Sequence, residues 1–307
     1  MTDVVVVQPI APAAVDLLGR AGLRVHSAPA PELEAMRPHL ATARAVITRN
    51  HGFSEAELAA APRLEVIGVH GTGTDRVDRQ AAERRGVRVV NTPGANARAV
   101  AELALGLMLA CARGLLSADA AARAGDAGWR ERARGVELGG RRLGLVGFGH
   151  VARALVPMAR GLSMEVAALT RHATDAELDA AGIRPAPDLD TLCATSDVLS
   201  LHAVPGPKPL LDSARIARMR RGAILVNTAR GALVDEPALA AALASGHLRA
   251  AGLDVTAVEP LPPDSPLLGA PGLVLTPHIG GAAEEAIERT GQEVARKVLA
   301  ALGLPLP

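Results

Sequence analysis

Short β-branched runs alternate with alanine-rich segments of helical periodicity along the chain, the pattern of a parallel α/β protein. Val4 to Val7 is an apolar run of strand length. The helix after it passes through Val15, Leu17 and Leu18 and stops near Gly22. RAVIT (44–48), LEVIGV (64–69) and VRVV (87–90) predict three further strands, each preceded by a helical stretch. One such stretch, SEAELAAAP (54–62), carries its own start signal, with Ser54 as N-cap and Glu57 completing a capping box. These elements make one small doubly wound unit.

NTPGANA (91–97) is a turn cluster and an expected hinge. AVAELALGLMLACARGL (99–115) then predicts a long helix, apolar on most faces and therefore buried, between domains or subunits. A second α/β series follows, with strands near 143–147, 164–169, 197–201, 222–227, 250–254 and 273–276. The amphipathic segment 282–302 comes after the last of these and is free to pack back on the first unit. The fold class is thus α/β, with two doubly wound parallel-sheet domains.

Composition narrows the picture. The 307 residues suffice for two domains, and nearly half are apolar. Phe53, Phe148 and Trp129 are the whole aromatic set, so Ala, Val and Leu must build the core. Lysine stands only at Lys208 and Lys297, and the arginines are scattered. With a net charge of +1, nothing favours nucleic acid or an acidic membrane surface. Cys111 and Cys193 lie in apolar segments and read as buried free thiols. No signal peptide precedes the first strand, and no apolar run reaches the ~18 residues of a membrane span. The expectation is a soluble, cytoplasmic protein with no membrane partner and no metal site.

Gly147-Phe148-Gly149-His150-Val151-Ala152 follows an apolar strand and opens a helix, the context that makes a G-x-G-x-x-(G/A) match meaningful. Gly147 permits the tight turn. Gly149 clears space for backbone amides to approach a pyrophosphate, and Ala152 allows close helix–strand packing. An NAD site usually places Asp or Glu at the end of the next strand to bind the ribose. Here that strand, MEVAAL, is followed by Thr170-Arg171-His172. No carboxylate repels a 2′-phosphate, Arg171 can pair with one, and Thr170 can donate a hydroxyl hydrogen bond. The expected cofactor is NADP(H) in preference to NAD(H), the bland alternative being that Arg171 is one more solvated arginine.

Three dense stretches follow. GAILVNTARGALVDE puts Arg230 in a loop beyond a strand. AAGLDVTAVEP puts Asp254 at a strand end with Glu259 shortly after. LVLTPHIGG puts His278 in a third such loop. Parallel strands deliver these loops to one sheet edge, where Arg230, Glu259 and His278 can converge on a nicotinamide. A histidine with a pKa near neutrality suits proton donation to an alkoxide. A neighbouring carboxylate would raise that pKa and orient the ring, and an arginine can grip a substrate carboxylate and polarise its carbonyl.

These stretches, together with HGTGTDRVDRQAAERRGVRVVNTPGANARAVAE, LGLVGFGHVA and TPHIGG in this order, resemble the D-isomer-specific 2-hydroxyacid dehydrogenases. That family includes glyoxylate/hydroxypyruvate reductases and phosphoglycerate dehydrogenases. The resemblance implies a flavodoxin-like substrate domain from residues 1–97 plus 283–307, and a Rossmann NAD(P)-binding domain over 98–282. It implies Arg230, Glu259 and His278 as the catalytic set, and a homodimer built around the coenzyme domains. It carries over cofactor contacts to His202, Ala203, Val204, Thr228, Ala229, Asp254 and Gly280 besides the fingerprint residues. Thr72 and Gly73 would offer amides to the substrate carboxylate.

Asp75 reads equally as a helix N-cap before RVDRQAAERRG. The loop after His202, Val204 to Pro209, is shorter and more proline-rich than the family's usual one. Arg49, with Asn50 and His51, follows a first-domain strand and can face the distal end of a substrate. Arg98 is another candidate for a second anion. The expected activity is NAD(P)H-dependent reduction of small 2-oxo acids, glyoxylate or hydroxypyruvate first. No appended regulatory domain is expected, which weighs against a biosynthetic phosphoglycerate dehydrogenase, the alternative. A dinucleotide-sensing binding module like the corepressors of this architecture is a rival of another class. Glu259 speaks against formate dehydrogenases, which pair the histidine with glutamine.

Overall fold

A computed structural model describes all 307 residues. They form two compact units, Met1–Asn96 with Gly281–Pro307, and Ala97–Gly280.

The first unit runs β1 (Val4–Val6), α1 (Pro12–Arg20), β2 (Val25–Ser27), α2 (Leu33–Leu40), β3 (Ala45–Thr48), α3 (Glu55–Ala60), β4 (Val66–Val69), α4 (Arg79–Arg84) and β5 (Arg88–Asn91). Its five strands are all parallel in the order β2-β1-β3-β4-β5, the flavodoxin-like arrangement. β1, β3 and β4 are buried along their length and read as continuous apolar runs, as central parallel strands do. β2 leaves no such trace. It is an edge strand of three half-exposed residues, paired with β1 through Val4 and Val25.

Side-chain caps set several helix starts. In α3, Glu57 N donates to Ser54 Oγ at 3.4 Å and Ser54 N donates to Glu57 Oε2 at 2.6 Å, the reciprocal box read from the sequence. α4 departs from expectation. It starts at Arg79, and Asp78, not Asp75, caps it by accepting from Ala81 N at 2.9 Å. Val77 is held in a bridge to Phe53, so the chain cannot turn helical until after it.

The second unit opens with α5 (Ala97–Arg113), which buries nine of its residues and stops at Gly114, a left-handed residue with φ 61°. Short helices α6 (Leu115–Arg123) and α7 (Trp129–Arg132) follow. The chain then runs β6 (Arg142–Val146), α8 (His150–Gly161), β7 (Glu165–Leu169), α9 (Asp175–Ala180), β8 (Arg184–Pro185), α10 (Leu189–Thr195) and β9 (Val198–Leu201). It continues through α11 (Ser213–Arg218), β10 (Ile224–Asn227), α12 (Glu236–Ala244), β11 (Ala250–Leu253) and β12 (Leu273–Leu275). The seven parallel strands lie in the order β12-β11-β10-β9-β6-β7-β8, a Rossmann sheet with one strand added. β8 is the strand without a sequence signal here, two exposed residues borrowed by the edge of β7.

The last helix, α13 (Glu284–Ala301), belongs to the first unit. Its Val294, Ala295, Val298 and Leu299 are fully buried against β1, β3 and β4 and against α1. Gly68 in β4 makes this possible, because a Cβ there would lie 2.7 Å from a Val298 methyl and 2.8 Å from one of Val294. No single helix is long and apolar enough to cross a membrane. Cys111 and Cys193 are free and buried, and burial pushes their thiols up to about 12 and about 11, so both are unreactive.

Candidate active site

In the seven-stranded sheet the register aligns Val146 with Leu201, Leu201 with Asn227, Asn227 with Leu253, and Leu253 with Leu275. The residues that leave these strands are Gly147, His202, Thr228, Asp254 and Thr276. They therefore form one row along the carboxyl edge, so loops far apart in sequence become neighbours.

Gly147 sits in the turn after β6 with φ 98°, and a Cβ there would lie 2.4 Å from the His202 carbonyl oxygen. Only glycine fits. At Gly149, the N-cap of α8, an added Cβ would meet nothing within 4 Å, and no side chain caps the helix. The first-turn amides at His150 and Val151, at the positive end of a 12-residue helix, are therefore open to an anion. Phe148 is buried beneath the turn, and the Arg153 guanidinium lies over its ring at 4.4 Å. Beyond β7, Thr170 Oγ1 accepts from His172 N at 3.3 Å and Ala173 N at 3.4 Å, closing a turn and leaving its hydroxyl hydrogen to donate. Arg171 projects from that turn, exposed and without an acidic partner.

Beyond β9, the His202 Nε2 lies 3.0 Å from Ser200 Oγ, and burial pushes the imidazole down to about 4. The ring is neutral at physiological pH. Ala203 is half-buried and Val204 is 89 % exposed. Thr228 Oγ1 is buried with no hydrogen-bond partner, spare capacity in the middle of the row. An open glycine turn, uncapped helix amides and an orphaned hydroxyl fit a dinucleotide.

Asn227, fully buried, ties down the next loop. Its Nδ2 donates to the Arg230 carbonyl at 2.8 Å, and its Oδ1 accepts from Ala229 N at 3.0 Å. Arg230 itself is half-buried, and its Nη1 donates to the Ala229 carbonyl at 2.7 Å.

Asp254 does the same for the His278 loop, more extensively. It is 1 % exposed. Its Oδ1 accepts from Thr276 Oγ1 at 2.6 Å and Ile279 N at 2.8 Å, its Oδ2 from Gly280 N at 2.8 Å, and its carbonyl from His278 N at 2.8 Å. His278 is held with φ 54°, one of only two non-glycine residues in the left-handed region. Its Nδ1 lies 2.9 Å from Glu259 Oε2, and Glu259 Oε1 accepts from Thr256 N at 3.4 Å. A carboxylate cannot donate, so Nδ1 carries the proton and Nε2 is left for a partner outside the chain.

In the five-stranded unit, Thr72 and Gly73 follow β4. Their amides donate to no group of the chain, and Asn91 Nδ2 donates to the Thr72 carbonyl at 2.7 Å. His70, just before them, is buried with Nε2 3.3 Å from the Ile287 carbonyl. Burial, and after it the Arg49 charge, pushes this imidazole down to about 4.

Neither the role of Asn227 nor the clasp made by Asp254 is evident in the sequence, where the first reads as strand and the second as a cofactor contact. The repeated layout of a strand followed by a polar residue at its last position or one beyond was the available signal.

Residues 105–280 match the family model described as D-isomer specific 2-hydroxyacid dehydrogenase, NAD binding domain. The hydroxypyruvate reductase of Thermotoga maritima is 41 % identical over 258 residues, 80 % of each chain. The D-3-phosphoglycerate dehydrogenase of Archaeoglobus fulgidus is 37 % identical over 309 residues, 99 % of this chain but 58 % of that one, so the chain spans little more than half of that relative's length. The crystal structure of the TT0316 protein from Thermus thermophilus superposes with a TM-score of 0.89 at 37 % identity, covering 99 % of this chain and 98 % of that one.

The two depressed histidines predict an acid-side loss of stability. Both pKa values fall from an ordinary 6.5 to about 4 on folding, so the unfolded chain takes up these protons first. Stability is therefore full above pH 6.5 and falls as the pH drops toward 4. Urea midpoints measured across that interval should fall with pH, and His202→Asn should flatten the slope. A slope unchanged in that variant would remove His202 from the account.

Proposed function

The chain belongs to the D-isomer-specific 2-hydroxyacid dehydrogenase family, and on that footing we propose that it transfers a hydride between NAD(P)H and a small 2-oxo acid, reversibly giving the D-2-hydroxyacid. Glyoxylate and hydroxypyruvate are the first substrates to test. The observation that carries this reading is the Glu259–His278 pair at 2.9 Å, which leaves Nε2 of a left-handed, rigidly held histidine available to the substrate.

In this reading the seven-stranded unit binds the dinucleotide, and the five-stranded unit contributes to substrate recognition. The pyrophosphate meets the Gly147–Val151 turn, with Thr228, Ala229, Gly280 and the His202–Val204 segment lining the rest of the cofactor site. Asp254 acts there through the loop it holds. When bound, the nicotinamide supplies or accepts the hydride. His278 donates the Nε2 proton to the oxygen of C2 as it becomes an alkoxide. Glu259 keeps the ring oriented and balances the imidazolium that forms in the reverse direction. Arg230 grips the substrate carboxylate and polarises the carbonyl. The free amides of Thr72 and Gly73 suit an anionic oxygen.

NADP(H) is the proposed cofactor because Arg171 is exposed and unpaired beside the Thr170 hydroxyl, with no carboxylate at the end of β7 to repel a 2′-phosphate. A homodimer through α5 and α6 is proposed because Leu109, Leu115 and Leu116 are 37 %, 50 % and 51 % exposed on adjoining turns. The two buried free thiols accord with a cytoplasmic setting.

NADPH oxidation should be measurable with glyoxylate or hydroxypyruvate, and His278→Ala should lower kcat by about 10²–10⁴-fold, the usual weight of a general acid. Glu259→Gln should lower kcat less. No turnover across a broad 2-oxo acid panel, with cofactor still bound, refutes the reading. The ratio of kcat/KM for NADPH over NADH should exceed one and shrink about tenfold in Arg171→Ala, the worth of one charge-assisted contact. A ratio at or below one in the wild type rejects NADP(H). Light scattering should return twice the chain mass, falling to the monomer in Leu115→Arg, and a monomeric wild type would contradict the dimer.

A further inference from the structure

The amino edge of the seven-stranded sheet carries a cleft that the reaction above does not use. Its volume of about 640 Å³ falls within the ~300–1,000 Å³ range of small-molecule sites. The end of α5, helices α6 and α7 and the starts of β11 and β12 wall it in. It therefore lies at the opposite ends of the strands that lead to Asp254 and Thr276. Cys111, Ala250 and Val274 supply buried apolar lining. Trp129, the only tryptophan of the chain, lines it half-buried.

Charge sets this cleft apart. Arg113, Arg130, Arg132, Arg134 and Arg249 line it against one carboxylate, Asp126. That carboxylate is committed, its Oδ2 accepting from Arg132 Nη2 and its Oδ1 from Gly128 N at 3.1 Å. Arg134 and Arg249 bond to neutral carbonyls. Arg134 Nη1 donates to the carbonyls of Glu131 at 2.6 Å and Ala133 at 2.8 Å, and Arg249 Nη1 donates to that of Arg134 at 2.7 Å. Such bonds hold the side chains in place without balancing their charge. Arg113 and Arg130 have no hydrogen bond or ion pair within the chain. Glu131 and Glu137, on the same segment, are exposed and do not line the cleft. The walls are anchored too. Val136 N donates to the Ala112 carbonyl at 2.8 Å, tying the loop after α7 to the end of α5. Gly135 lets Arg113 lie close along that loop, because a Cβ there would stand 3.0 Å from Nε. A basic residue suits a helix C-terminus, which accounts for Arg113 but not for five arginines around one cleft.

We propose that this cleft binds a small polyanion, a molecule with two or more phosphate or carboxylate groups, at a site separate from the dinucleotide turn and the Glu259–His278 pair. The planar fork of arginine suits both kinds of group. Leu115 and Leu116 also line the cleft, so it adjoins the dimer face proposed above. A second copy is not the occupant that charge favours, because a twofold contact there sets the same surplus of positive charge against itself. A bound polyanion relieves that repulsion. The proposal goes beyond the dehydrogenase reading and does not depend on it.

Trp129 makes the test direct, since the chain has no tyrosine and no other tryptophan. Its emission should change saturably on titration with inorganic tripolyphosphate or citrate at constant ionic strength, and much less with chloride or acetate. The tighter of the two polyanions tells phosphate from carboxylate. Tripolyphosphate can also meet the Gly147 turn, so variants decide which site is read. Arg113→Gln combined with Arg130→Gln should weaken the affinity about tenfold, the worth of two exposed charge contacts. Arg113→Lys combined with Arg130→Lys should keep most of it, and NADPH should bind equally to both variants and the wild type. No saturable change with either polyanion overturns the proposal. Equal affinity in the glutamine variant does so as well, marking an adventitious ion only. Affinity should hold or rise with protein concentration, and a fall would show that a partner chain fills the cleft, which also overturns the proposal. None of these readouts needs turnover, so a failure of the dehydrogenase reading leaves them intact.

Discussion

A single carboxylate, that of Asp254, organises the most constrained part of the molecule. It stands at the end of β11, almost completely out of solvent, where an ionised group survives only if its lone pairs are filled. Thr276, Ile279 and Gly280 fill them, and the Asp254 carbonyl takes the amide of His278. The residue that needs donors and the loop that needs acceptors solve each other's problem. The outcome is a histidine with φ 54°, a conformation unfavourable by about 1 kcal/mol for an ordinary residue and maintained because its neighbours are pinned. Glu259 can then meet its ring at 2.9 Å without either side chain having to search for the other.

The same device recurs along both sheets. Parallel strands end in register, so whatever follows them collects at one edge, and a polar side chain near one strand end can tie down the loop from another. Asp254 does this for the His278 loop and Gln8 for Arg49 and His51, while Asn227 ties down the loop of its own strand at Ala229 and Arg230. These loops are rigid because their own amides and carbonyls are already bonded, which leaves ring nitrogens and helix-end amides as the groups available for ligands. Rigid presentation of this kind lowers the entropic cost of holding a small acid in one pose.

Much of the fold is legible from local pattern. The central strands are apolar runs because both faces of a parallel sheet are covered, and the start of α3 is written in Ser54 and Glu57. The glycine fingerprint between β6 and α8 is equally local, since Gly147 answers to a turn geometry. The misses have a common cause. β2 and β8 exist because a neighbouring strand offers unpaired backbone groups at an edge, which their own exposed and half-exposed residues do not announce. Asp78 rather than Asp75 caps α4 because Val77 is pinned to Phe53, more than twenty positions away in the chain.

Residue type and order alone therefore determined the α/β class, the dinucleotide turn, and the set Arg230, Glu259 and His278 in three successive loops. These depend on periodicity and on chemistry that travels with each side chain. Tertiary structure alone decided that Asp254 would commit its carboxylate to the His278 loop and that Thr228 would keep a hydroxyl in reserve. It also decided that Glu57, legible as a cap, would turn its second oxygen to His51. A hydrogen bond between elements depends on where two backbones run, and only strand register and packing set that.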